Sequence, residues 1–403
     1  MKVRSKEPYG LLKNGLIHAY PSLRDNISCD ILVVGSGVTG ALMAYQLSNE
    51  GYKTVVIDKR DVGTGSTCAS TSIVQYEIDQ PLYKLIKIMG RDAAIDIYRE
   101  SVNSIEKLAD IAEHLKFPCS FRYKESLQFA HTAQDASALK EEIECRRTAG
   151  INVKWLTKTE IKDRFGMVSH GGILSEKAAK IDAYRLAHGL LQSSAKRCGL
   201  EVYDHVTLNS VEYYNNNTRV TVDSGVQIEC SNIVYATGYE THEIIGGNSD
   251  IGKLFSTYAC VSEPFESLPA AIDETIFWNT EAPYFYFRTT GDNRLLIGGA
   301  DEVFENPEKR DALIDMKETE LVQKLRQKIP GVDFVPDFTW SGVFGVTKDA
   351  LPYIGSHPAF PNSYFILAFG GNGITFSVMG MQILSDAVAK KPNRFLQYFK
   401  FDR

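Results

Sequence analysis

The segment ILVVGSGVTGALMAYQLSNEGYKTVVIDKR, residues 31–60, decides the fold of this 403-residue chain. Its first four residues are apolar β-formers, and they run directly into the glycine-rich sequence GSGVTG (35–40). Apolar residues then recur at helical spacing until Gly51, and a second apolar stretch, VVI (55–57), ends at Asp58. The pattern predicts a strand, a tight turn, a helix and a second strand.

Each glycine of the GSGVTG turn has its own task in a unit that binds a dinucleotide. Gly35 permits the tight turn, Gly37 lets the backbone approach a pyrophosphate, and Gly40 lets the helix pack closely on the strand. The positive end of the helix attracts the pyrophosphate. Asp58, about 20 residues further on, accepts hydrogen bonds from an adenosine ribose. The unit suits both NAD and FAD, so it predicts a dinucleotide site without deciding between them.

Composition limits the classes of protein to which the chain can belong. A net charge of −6 and a pI near 5.8 give no electrostatic case for nucleic-acid binding. No apolar run reaches transmembrane length, and the N-terminal segment lacks the apolar centre of a signal peptide. Seven cysteines without a C-x-x-C pair, and histidines that do not cluster, predict reduced thiols, no metal site and a cytoplasmic protein.

Strand–glycine–helix elements return late in the chain, unlike in a simple consecutive Rossmann domain. IVYATGYE (233–240) predicts a buried strand, and AFGGNGITFSVMG (368–380) predicts a strand end, a glycine-rich turn and a helix. Apolar spacing also predicts one helical run over 83–117, and PYFYFRTTGDNRLLIGG (283–299) predicts a β-hairpin that turns at Gly291. We therefore predict one nucleotide-binding fold assembled from separated segments, with a sheet domain inserted between them.

Further stretches bear on the choice of dinucleotide. HVTLNSV (205–211) predicts a strand edge at which the backbone of Val206 faces an adenine, although an ordinary strand fits as well. In the turn of 368–380, glycines precede a helix N-terminus, which stabilises negative charge. Reduced flavin carries negative charge at its N1–C2=O edge, so this turn suits a flavin clamp, although a second phosphate turn or a plain glycine-rich loop also fits the residues. The segment GVFGVTKDALPYIG (342–355) would bring Gly342 to Thr347 alongside the flavin ring.

The chain resembles the D-amino-acid-oxidase-like superfamily of FAD-dependent oxidoreductases, which includes glycine oxidase, monomeric sarcosine oxidase and gamma-glutamylputrescine oxidase. The resemblance covers about residues 25–390 and rests on VVGSGVTG, GTGSTCASTS, HVTLNSV, IVYATGYE, PYFYFRTTGDNRLLIGG, TKDALPYIG and FGGNGITFS, taken in order. It implies an α/β fold in which a bipartite FAD-binding Rossmann-like domain carries an inserted antiparallel-sheet substrate domain. The implied FAD domain comprises 25–80, 150–260 and 340–395, the substrate domain 81–149 and 261–339, and an N-terminal extension 1–24.

The resemblance also implies a reaction, the oxidation of the C–N bond of an amine or amino acid. A hydride passes to flavin N5, the imine product hydrolyses, and O2 or another acceptor takes the electrons. The chemistry needs a neutral amine, a C–H bond aimed at N5, and donors at the flavin oxygen, which the turn 371–375 would supply. Two other functions stay open: a flavoprotein acting on a modified RNA base, which the acidic composition disfavours, and a non-catalytic nucleotide-binding module.

Several positions depart from the family pattern. By motif alignment, a carboxylate-binding Arg of sarcosine oxidase falls at Gln75, a second Arg of the same loop at Ser72, and its Lys at Thr375. The Arg of glycine oxidase and the flavin-linking Cys of sarcosine oxidase both fall at or near Phe344. These departures predict non-covalent FAD and poor oxidation of sarcosine and glycine.

The remaining cationic candidate for the substrate site is Arg288. Alternation along the strand places Tyr284, Tyr286 and Arg288 on one face. Phe285 and Phe287 then lie on the opposite face. Arg288 is either an anchor for a substrate carboxylate or a structural Arg paired with a nearby acid, and the sequence leaves both interpretations open.

The predicted site residues fall into two sets. The catalytic or substrate-binding set is Arg288, Tyr286 and Gln75. The cofactor-binding set comes from the dinucleotide unit, the small-residue loop GTGSTCASTS (63–72), two strand ends, the 342–355 segment and the C-terminal turn: Gly35, Gly37, Val38, Thr39, Gly40, Asp58, Lys59, Arg60, Ser66, Thr67, Ser70, Thr71, Val206, Thr237, Gly238, Gly342, Gly371, Asn372, Gly373, Ile374 and Thr375.

Overall fold

The computed structural model describes residues 1–5, 7–215, 217–245, 251–367 and 370–403, so the first two residues of the predicted segment 368–380 lie outside the described residues. The strands are β1 (Ile27–Val34), β2 (Thr54–Ile57), β3 (Ile73–Gln75), β4 (Arg122–Phe129), β5 (Val153–Leu156), β6 (Gly172–Lys180), β7 (Glu201–Tyr203), β8 (Leu208–Tyr213), β9 (Thr218–Val222), β10 (Gln227–Tyr235), β11 (Lys253–Ser262), β12 (Thr275–Asn279), β13 (Phe285–Thr289), β14 (Leu295–Val303), β15 (Pro336–Val346), β16 (Tyr353–Ser356) and β17 (Ser363–Leu367).

The helices alternate with these strands through most of the chain. They are α1 (Tyr9–Asn14), α2 (Val38–Asn49), α3 (Ser66–Ala69), α4 (Leu82–Met89), α5 (Arg91–His114), α6 (Ala133–Thr148), α7 (Lys158–Phe165), α8 (Ala183–Cys198), α9 (Thr241–Ile245), α10 (Ala270–Asp273), α11 (Pro307–Ala312), α12 (Ile314–Lys328), α13 (Gly373–Val388) and α14 (Leu396–Phe399), with a short 3-10 turn at Gly238–Glu240. In the part of the chain that the structure describes, no helix is long and apolar enough to cross a membrane.

The first sheet has the order β16-β17-β10-β1-β2-β7, with β9 and β8 added beside β10. Strands β17, β10, β1, β2 and β7 are parallel neighbours. Strand β2 is buried along its whole length because both of its faces are covered, which explains its run of apolar residues. Val56 lies in a core cluster with α2 and α8, and Val55 and Ile57 lie in another cluster with Val206 and Val220. The predicted strand–turn–helix–strand unit is confirmed as β1, α2 and β2.

The second sheet has the order β15-β11-β14-β13-β12-β4-β6-β3, with β5 beside β6. Its pairs are antiparallel except for β12 and β4, which run parallel. The predicted hairpin is confirmed as β13 and β14, with Thr289 opposite Leu295 on either side of the turn. Phe277 of β12 and Phe287 of β13 stack at 4.4 Å between ring centroids, in the core on one face of this sheet.

The two sheets take their strands from interleaved parts of the chain, as expected for one fold interrupted by another. β3 to β6 and β11 to β15 belong to the second sheet, and the other strands belong to the first. The predicted domain boundaries stay a prediction. Strands β5, β6 and most of β11 lie inside the predicted FAD segment 150–260 and yet pair within the second sheet.

The helical run predicted over 83–117 is divided in the structure. Gly90, with φ at 88°, separates α4 from α5, because this left-handed conformation cannot continue an α-helix. The second helix ends at His114, before the predicted stop. Helix α5 packs against α13, which brings the N-terminal and C-terminal thirds of the chain together behind the first sheet.

Candidate active site

A turn with a severe steric restriction joins β1 to α2. Gly35 has φ at 105° and donates its N–H to the carbonyl of Ile57 at 2.8 Å. A Cβ at Gly40 would lie 1.8 Å from the carbonyl oxygen of Gly35, so no other residue fits there without moving the backbone. Gly40 is therefore a packing residue, as the sequence predicted, and it does not line the adjoining cavity.

The N-terminus of α2 is open toward a cavity. Its N-cap, Gly37, has no side chain to satisfy the first amides of the helix, although the N–H of Val38 donates to Oγ1 of Thr67 at 2.9 Å. Gly37, Val38 and Thr39 all line the cavity. Unsatisfied amides and the helix dipole together favour an anion at this position.

Asp58, at the end of β2, joins the two strands of the unit. Its Oδ2 accepts from the backbone N–H and the hydroxyl of Ser36, both at 2.7 Å, and its Oδ1 accepts the N–H of Arg60 at 3.0 Å. Burial raises the pKa of Asp58, and the bonds from Ser36 partly offset that effect. Since a carboxylate has about four acceptor positions, Asp58 keeps acceptor capacity toward the cavity that it lines.

The two cations that follow Asp58 are held by one acid. Arg60 pairs with Glu240 at 2.7 Å, and Lys59 lies 3.1 Å from the same carboxylate. Burial alone would raise the pKa of Glu240, but the bonds and charges of Arg60 and Lys59 outweigh it and hold the pKa at about 2. Val206 also contacts this group of residues, because its N–H donates to the carbonyl of Asp58 at 2.8 Å.

The small-residue loop supplies a second wall of the cavity. Ser66, Thr67, Ser70 and Thr71 line it. The loop is held by the indole of Trp340, whose Nε1 donates to the carbonyl of Ala69 at 2.8 Å. The end of β10 provides a third wall through Thr237 and Gly238, which also line the cavity.

The C-terminal turn leads into the buried helix α13. The N–H of Gly371 donates to Oδ2 of Asp79 at 2.8 Å, so this amide is occupied by a side chain of the protein itself. The amide of Asn372 donates to the carbonyls of Gln75 and Glu77, at 2.9 and 2.8 Å. The N-cap of α13 has no side-chain bond, and Gly373 and Ile374 line the cavity. The amides of this first turn are thus the donors that remain for a ligand.

Strand β13 covers the cavity with one face, as alternation predicted. Tyr284 and Tyr286 line the cavity, whereas Phe285 and Phe287 are buried in the core of the second sheet. Burial is the main cause that raises the pKa of Tyr286 to about 12, so its phenol is neutral at physiological pH. Tyr286 and Gln75, both predicted as catalytic, line the cavity, Tyr286 from β13 and Gln75 from β3.

Arg288 lies on the same face of β13 but does not line the cavity. Its Nε donates to the carbonyl of Thr71 at 2.7 Å, and its Nη1 donates to the carbonyl of Thr289 at 2.8 Å. Burial lowers the pKa of Arg288 to about 10, which leaves it charged at neutral pH. The predicted role as a substrate anchor stays a prediction, and the observed bonds give the guanidinium a structural task in holding the small-residue loop.

One cavity of about 730 Å³ brings these segments together, a size typical of ligand sites. All predicted cofactor residues except Gly40 and Thr375 line it, and so do predicted Gln75 and Tyr286. Thr375 lies just beneath, where its hydroxyl donates to the carbonyl of Gln75 at 2.8 Å. Contact between these residues and the cofactor stays a prediction.

Several cavity-lining residues were absent from the predicted set: Glu77, Asp79, Tyr239, Glu240, Thr257, Trp278 and Tyr284. Two signals in the sequence could have found some of them. Tyr284 shares the strand face of Tyr286, and Tyr239 and Glu240 directly follow Gly238. Asp79 and Trp278 carry no local signal, because their neighbours in the cavity come from distant segments.

Comparison with known proteins identifies the group to which this arrangement belongs. A family model described as FAD dependent oxidoreductase (DAO) matches residues 30–387. The chain belongs to this family. The predicted cofactor and the predicted class of enzyme are thereby confirmed: the chain is an FAD-dependent oxidoreductase. The cavity fits that cofactor, because it joins the dinucleotide turn to a second, uncapped helix N-terminus.

Individual members of the family are similar over nearly the whole chain. A putative Rieske 2Fe-2S iron-sulfur protein of Bacillus subtilis is 23% identical over 390 residues, which span 94% of this chain and 72% of that protein. Gamma-glutamylputrescine oxidoreductase of Escherichia coli is 23% identical over 402 residues, 93% of this chain and 87% of that protein. The crystal structure of glycine oxidase from Geobacillus kaustophilus has a TM-score of 0.77 at 20% identity, covering 93% of this chain and 99% of that one. The predicted DAO-type fold, with its Rossmann-like FAD domain, is confirmed.

Proposed function

We propose that this FAD-dependent oxidoreductase oxidises the C–N bond of an amine or amino acid. The carbon beside the nitrogen loses a hydride and the nitrogen loses a proton, which leaves an imine that water converts to a carbonyl compound. FAD, when bound, supplies the hydride acceptor at its N5 atom. The remaining requirements, orientation of the C–H bond and exclusion of water, fall to the protein.

The observation that carries the proposal is the continuity of the cavity. It is lined by the dinucleotide turn around Gly37 and also by the C-terminal turn, by Tyr286 of β13 and by Tyr284, which directly precedes that strand. A site that held only a nucleotide would not need the second group of residues. The half-buried phenols of Tyr284 and Tyr286 provide a wall against which a small substrate can pack.

Particular residues would hold the cofactor in this proposal. The open amides at the N-terminus of α2 hold the pyrophosphate, and Asp58 accepts from the ribose of the adenosine. Gly373 and Ile374, at the N-terminus of α13, would donate their amides to the flavin oxygen. Gly371 cannot share that task while its N–H donates to Asp79.

Relatives support the class of substrate. Glycine oxidase is named for an amino acid, and gamma-glutamylputrescine oxidoreductase is named for an amine derivative. Both names describe oxidation of a small molecule that contains nitrogen. The shared chemistry, rather than either substrate, is what we carry over to this chain.

We further propose that the FAD is held without a covalent bond. Phe344 lines the cavity near the position where the sequence comparison expected a linking Cys, and among the described lining residues no cysteine occurs. Cys68 is buried in the small-residue loop, and its thiol contacts the carbonyl of Gly65 at 3.3 Å. Burial raises the pKa of Cys68 to about 11, so it is a poor nucleophile at neutral pH.

The electron acceptor is O2 or another electron carrier. The neutral Thr375 replaces the Lys that the family resemblance associates with the reaction of O2, which favours another carrier. The relative from Bacillus subtilis is named for an iron–sulfur centre, an acceptor of single electrons. Reoxidation of the reduced enzyme by aerated buffer, compared with reoxidation by a dye, distinguishes the two.

The experiment that tests the proposed function is anaerobic bleaching of the purified yellow protein. Amines, amino acids, 2-hydroxy acids and NADH are each mixed with the enzyme, and loss of the flavin absorbance is followed. We expect bleaching by at least one amine or amino acid and slow bleaching by sarcosine and glycine. Bleaching confined to 2-hydroxy acids or NADH would contradict the proposal. Acid precipitation of the same sample should release all of the flavin as FAD.

A further inference from the structure

Charge is distributed unevenly along the cavity. In the described residues, the lysine and arginine side chains that line it are Lys59 and Arg60, and Glu240 pairs with both beside the dinucleotide unit. Beside the C-terminal turn, the charged lining residues are Glu77 and Asp79. The end of the cavity that is next to this turn is therefore acidic.

Asp79 is a carboxylate available to a ligand. It lines the cavity and is accessible from it, and its Oδ2 accepts the N–H of Gly371 at 2.8 Å. No ion pair to Asp79 occurs within the described ranges, whereas Oε1 of Glu77 lies 3.8 Å from Nη1 of the buried Arg146. Burial raises the pKa of Asp79, and a cation bound beside it would favour the ionised form.

Aromatic side chains stand around this carboxylate. A Cβ at Gly371 would lie 2.8 Å from Oδ1 of Asp79 and 2.9 Å from the hydroxyl of Tyr284, so both groups flank the same point. The rings of Tyr284 and Tyr286 are 5.9 Å apart, and Trp278 lines the same cavity. Faces of aromatic rings attract alkylammonium groups, and the attraction grows when water is excluded.

A second acid lies behind the aromatic wall. Asp301, on β14, is close enough to Tyr284 and Tyr286 to raise the pKa of both phenols, and the charge of Asp79 in turn raises the pKa of Asp301. Its Oδ1 is buried without a hydrogen-bond partner in the part of the chain that the structure describes. Burial is the main cause that raises the pKa of Asp301 to about 7, so its ionised form adds negative potential here.

Among the described residues that line the cavity, no lysine or arginine forms an ion pair with Asp79, because Lys59 and Arg60 both pair with Glu240. Arg288 is the cation of β13, but its guanidinium donates to the carbonyls of Thr71 and Thr289 and does not line the cavity. A substrate carboxylate placed beside Asp79 would be repelled and would lose its hydration. An ammonium group in the same place would gain an ion pair.

We propose that the substrate carries a second, positively charged group, so that the enzyme prefers diamines and related polycationic amines to amines that bear a carboxylate. Asp79 binds the ammonium of the second group, and Tyr284, Tyr286 and Trp278 surround its carbon chain. This inference rests on the proposed oxidation of an amine and specifies its class of substrate.

The substrate needs two nitrogens because oxidation requires a neutral nitrogen, whereas binding by Asp79 requires a protonated one. The nitrogen that is oxidised has to be neutral, since a protonated amine holds its electron pair in an N–H bond. A carboxylate next to that nitrogen would favour its protonated form. The nitrogen that Asp79 binds is therefore a different one, which stays protonated throughout the reaction.

Binding of three four-carbon probes to the FAD-loaded enzyme tests the proposal. The probes are 1,4-diaminobutane, butylamine and 4-aminobutyrate, and anaerobic calorimetry measures their affinities without requiring turnover. We expect 1,4-diaminobutane to bind at least about tenfold more tightly than butylamine, and 4-aminobutyrate to bind more weakly than butylamine. Equal or tighter binding of 4-aminobutyrate than of the diamine would overturn the proposal, with no variant needed.

The variant Asp79→Asn removes the charge but keeps an oxygen that can accept the N–H of Gly371. It should lower the affinity for the diamine about tenfold and change that for butylamine less than about twofold. Asp30→Asn, at an exposed acid on β1 that accepts the N–H of Lys53, is the matched control and should change neither. A retained preference for the diamine in Asp79→Asn would overturn the role of Asp79.

The outcomes separate this inference from the proposed function. If amines bleach the flavin but the three probes bind alike, the substrate class is wrong and the reaction stands. If the diamine binds as expected but no amine bleaches the flavin, the cation site stands and the proposed reaction is wrong.

Discussion

The hydroxyl of Thr375 donates a hydrogen bond to the backbone carbonyl of Gln75 at 2.8 Å. These are the two positions at which the family resemblance would place a substrate-binding Lys and Arg. Here the pair is neutral, and the amide of Asn372 reinforces it by donating to the same carbonyl at 2.9 Å. The contact fixes the N-terminus of α13 against β3 and leaves no cation at either position to bind a substrate carboxylate.

Asp58 should contribute to FAD affinity through the ribose of the adenosine. A hydrogen bond to a charged group is worth about 1.5–3 kcal/mol, so Asp58→Ala should raise the dissociation constant for FAD about tenfold or more. Equilibrium dialysis of the apoprotein against FAD measures the change. Asp30→Ala, which removes an exposed carboxylate at the other end of the unit, should leave the constant unaltered. An unchanged constant in Asp58→Ala would remove this residue from the site.

Gly40→Ala should destabilise the dinucleotide unit strongly. Its Cβ would lie 1.8 Å from the carbonyl oxygen of Gly35, so α2 has to move away from β1. Overpacking of this kind costs about 3 kcal/mol or more, and a lower melting temperature with a lower FAD content should result. Gly331→Ala is the control, because no heavy atom lies within 4 Å of the Cβ that it would add. Equal stability of both variants would contradict this prediction, because it would show that the turn between β1 and α2 accommodates the added Cβ without cost.

Local patterns in the sequence were sufficient for the dinucleotide unit and for the hairpin. The turn at Gly35 and the alternation of Tyr284 with Phe285 each depend on a few consecutive residues. The same is true of the strand end at Thr237. Such features follow from local steric restriction and from the alternation of side chains along a strand. Both can be predicted from consecutive residues without knowledge of tertiary contacts.

The acidic end of the cavity could not be predicted in this way. Asp79 and Gly371 are 292 residues apart in sequence, and only packing of α13 against β3 brings them together. Arg288 shows the converse difficulty: its strand face was predictable, but its bonds to the carbonyls of Thr71 and Thr289 depend on the position of the small-residue loop. Long-range placement of charges is decided by the assembled fold.

Arg288→Ala should destabilise the small-residue loop. The substitution leaves the carbonyl of Thr71 without its donor and leaves that of Thr289 with Lys180 alone, and the loss of charged hydrogen bonds at a buried position costs on the order of 3 kcal/mol. We expect a lower melting temperature and a similar loss of activity with all substrates. The alternative result is a rise in KM of about tenfold for acidic substrates only, at an unchanged melting temperature. That result would support the role of Arg288 as an anchor for a substrate carboxylate.

Glu240 should stabilise the protein above acidic pH. Its pKa in the folded protein is depressed from 4.5 to about 2, because the effects of Arg60 and Lys59 outweigh that of burial. Its stabilising contribution is therefore fully present above the unfolded value and is lost as pH falls toward 2. Glu240→Gln should lower the free energy of unfolding at pH 7 by on the order of 3 kcal/mol, and this difference should shrink between about pH 4.5 and pH 2.

Urea unfolding at a series of pH values measures the contribution of Glu240. The control is Glu305→Gln, which removes an exposed pair with Lys309, four residues further along the chain. Exposed pairs of this kind contribute about 0.5 kcal/mol or less. A Glu240→Gln variant that unfolds like this control at pH 7 would show that the cluster around Glu240 contributes little.

The central claim, that this enzyme removes a hydride from the carbon beside an amine nitrogen, is tested most directly by a single anaerobic turnover. The purified enzyme is mixed with a small excess of the amine or amino acid that bleaches it fastest, and the carbonyl product is quantified against the flavin. We expect one carbonyl product for each FAD reduced, and slower bleaching when the C–H bond carries deuterium. Bleaching without a carbonyl product, or bleaching at the same rate with deuterium while binding is saturated, would contradict it.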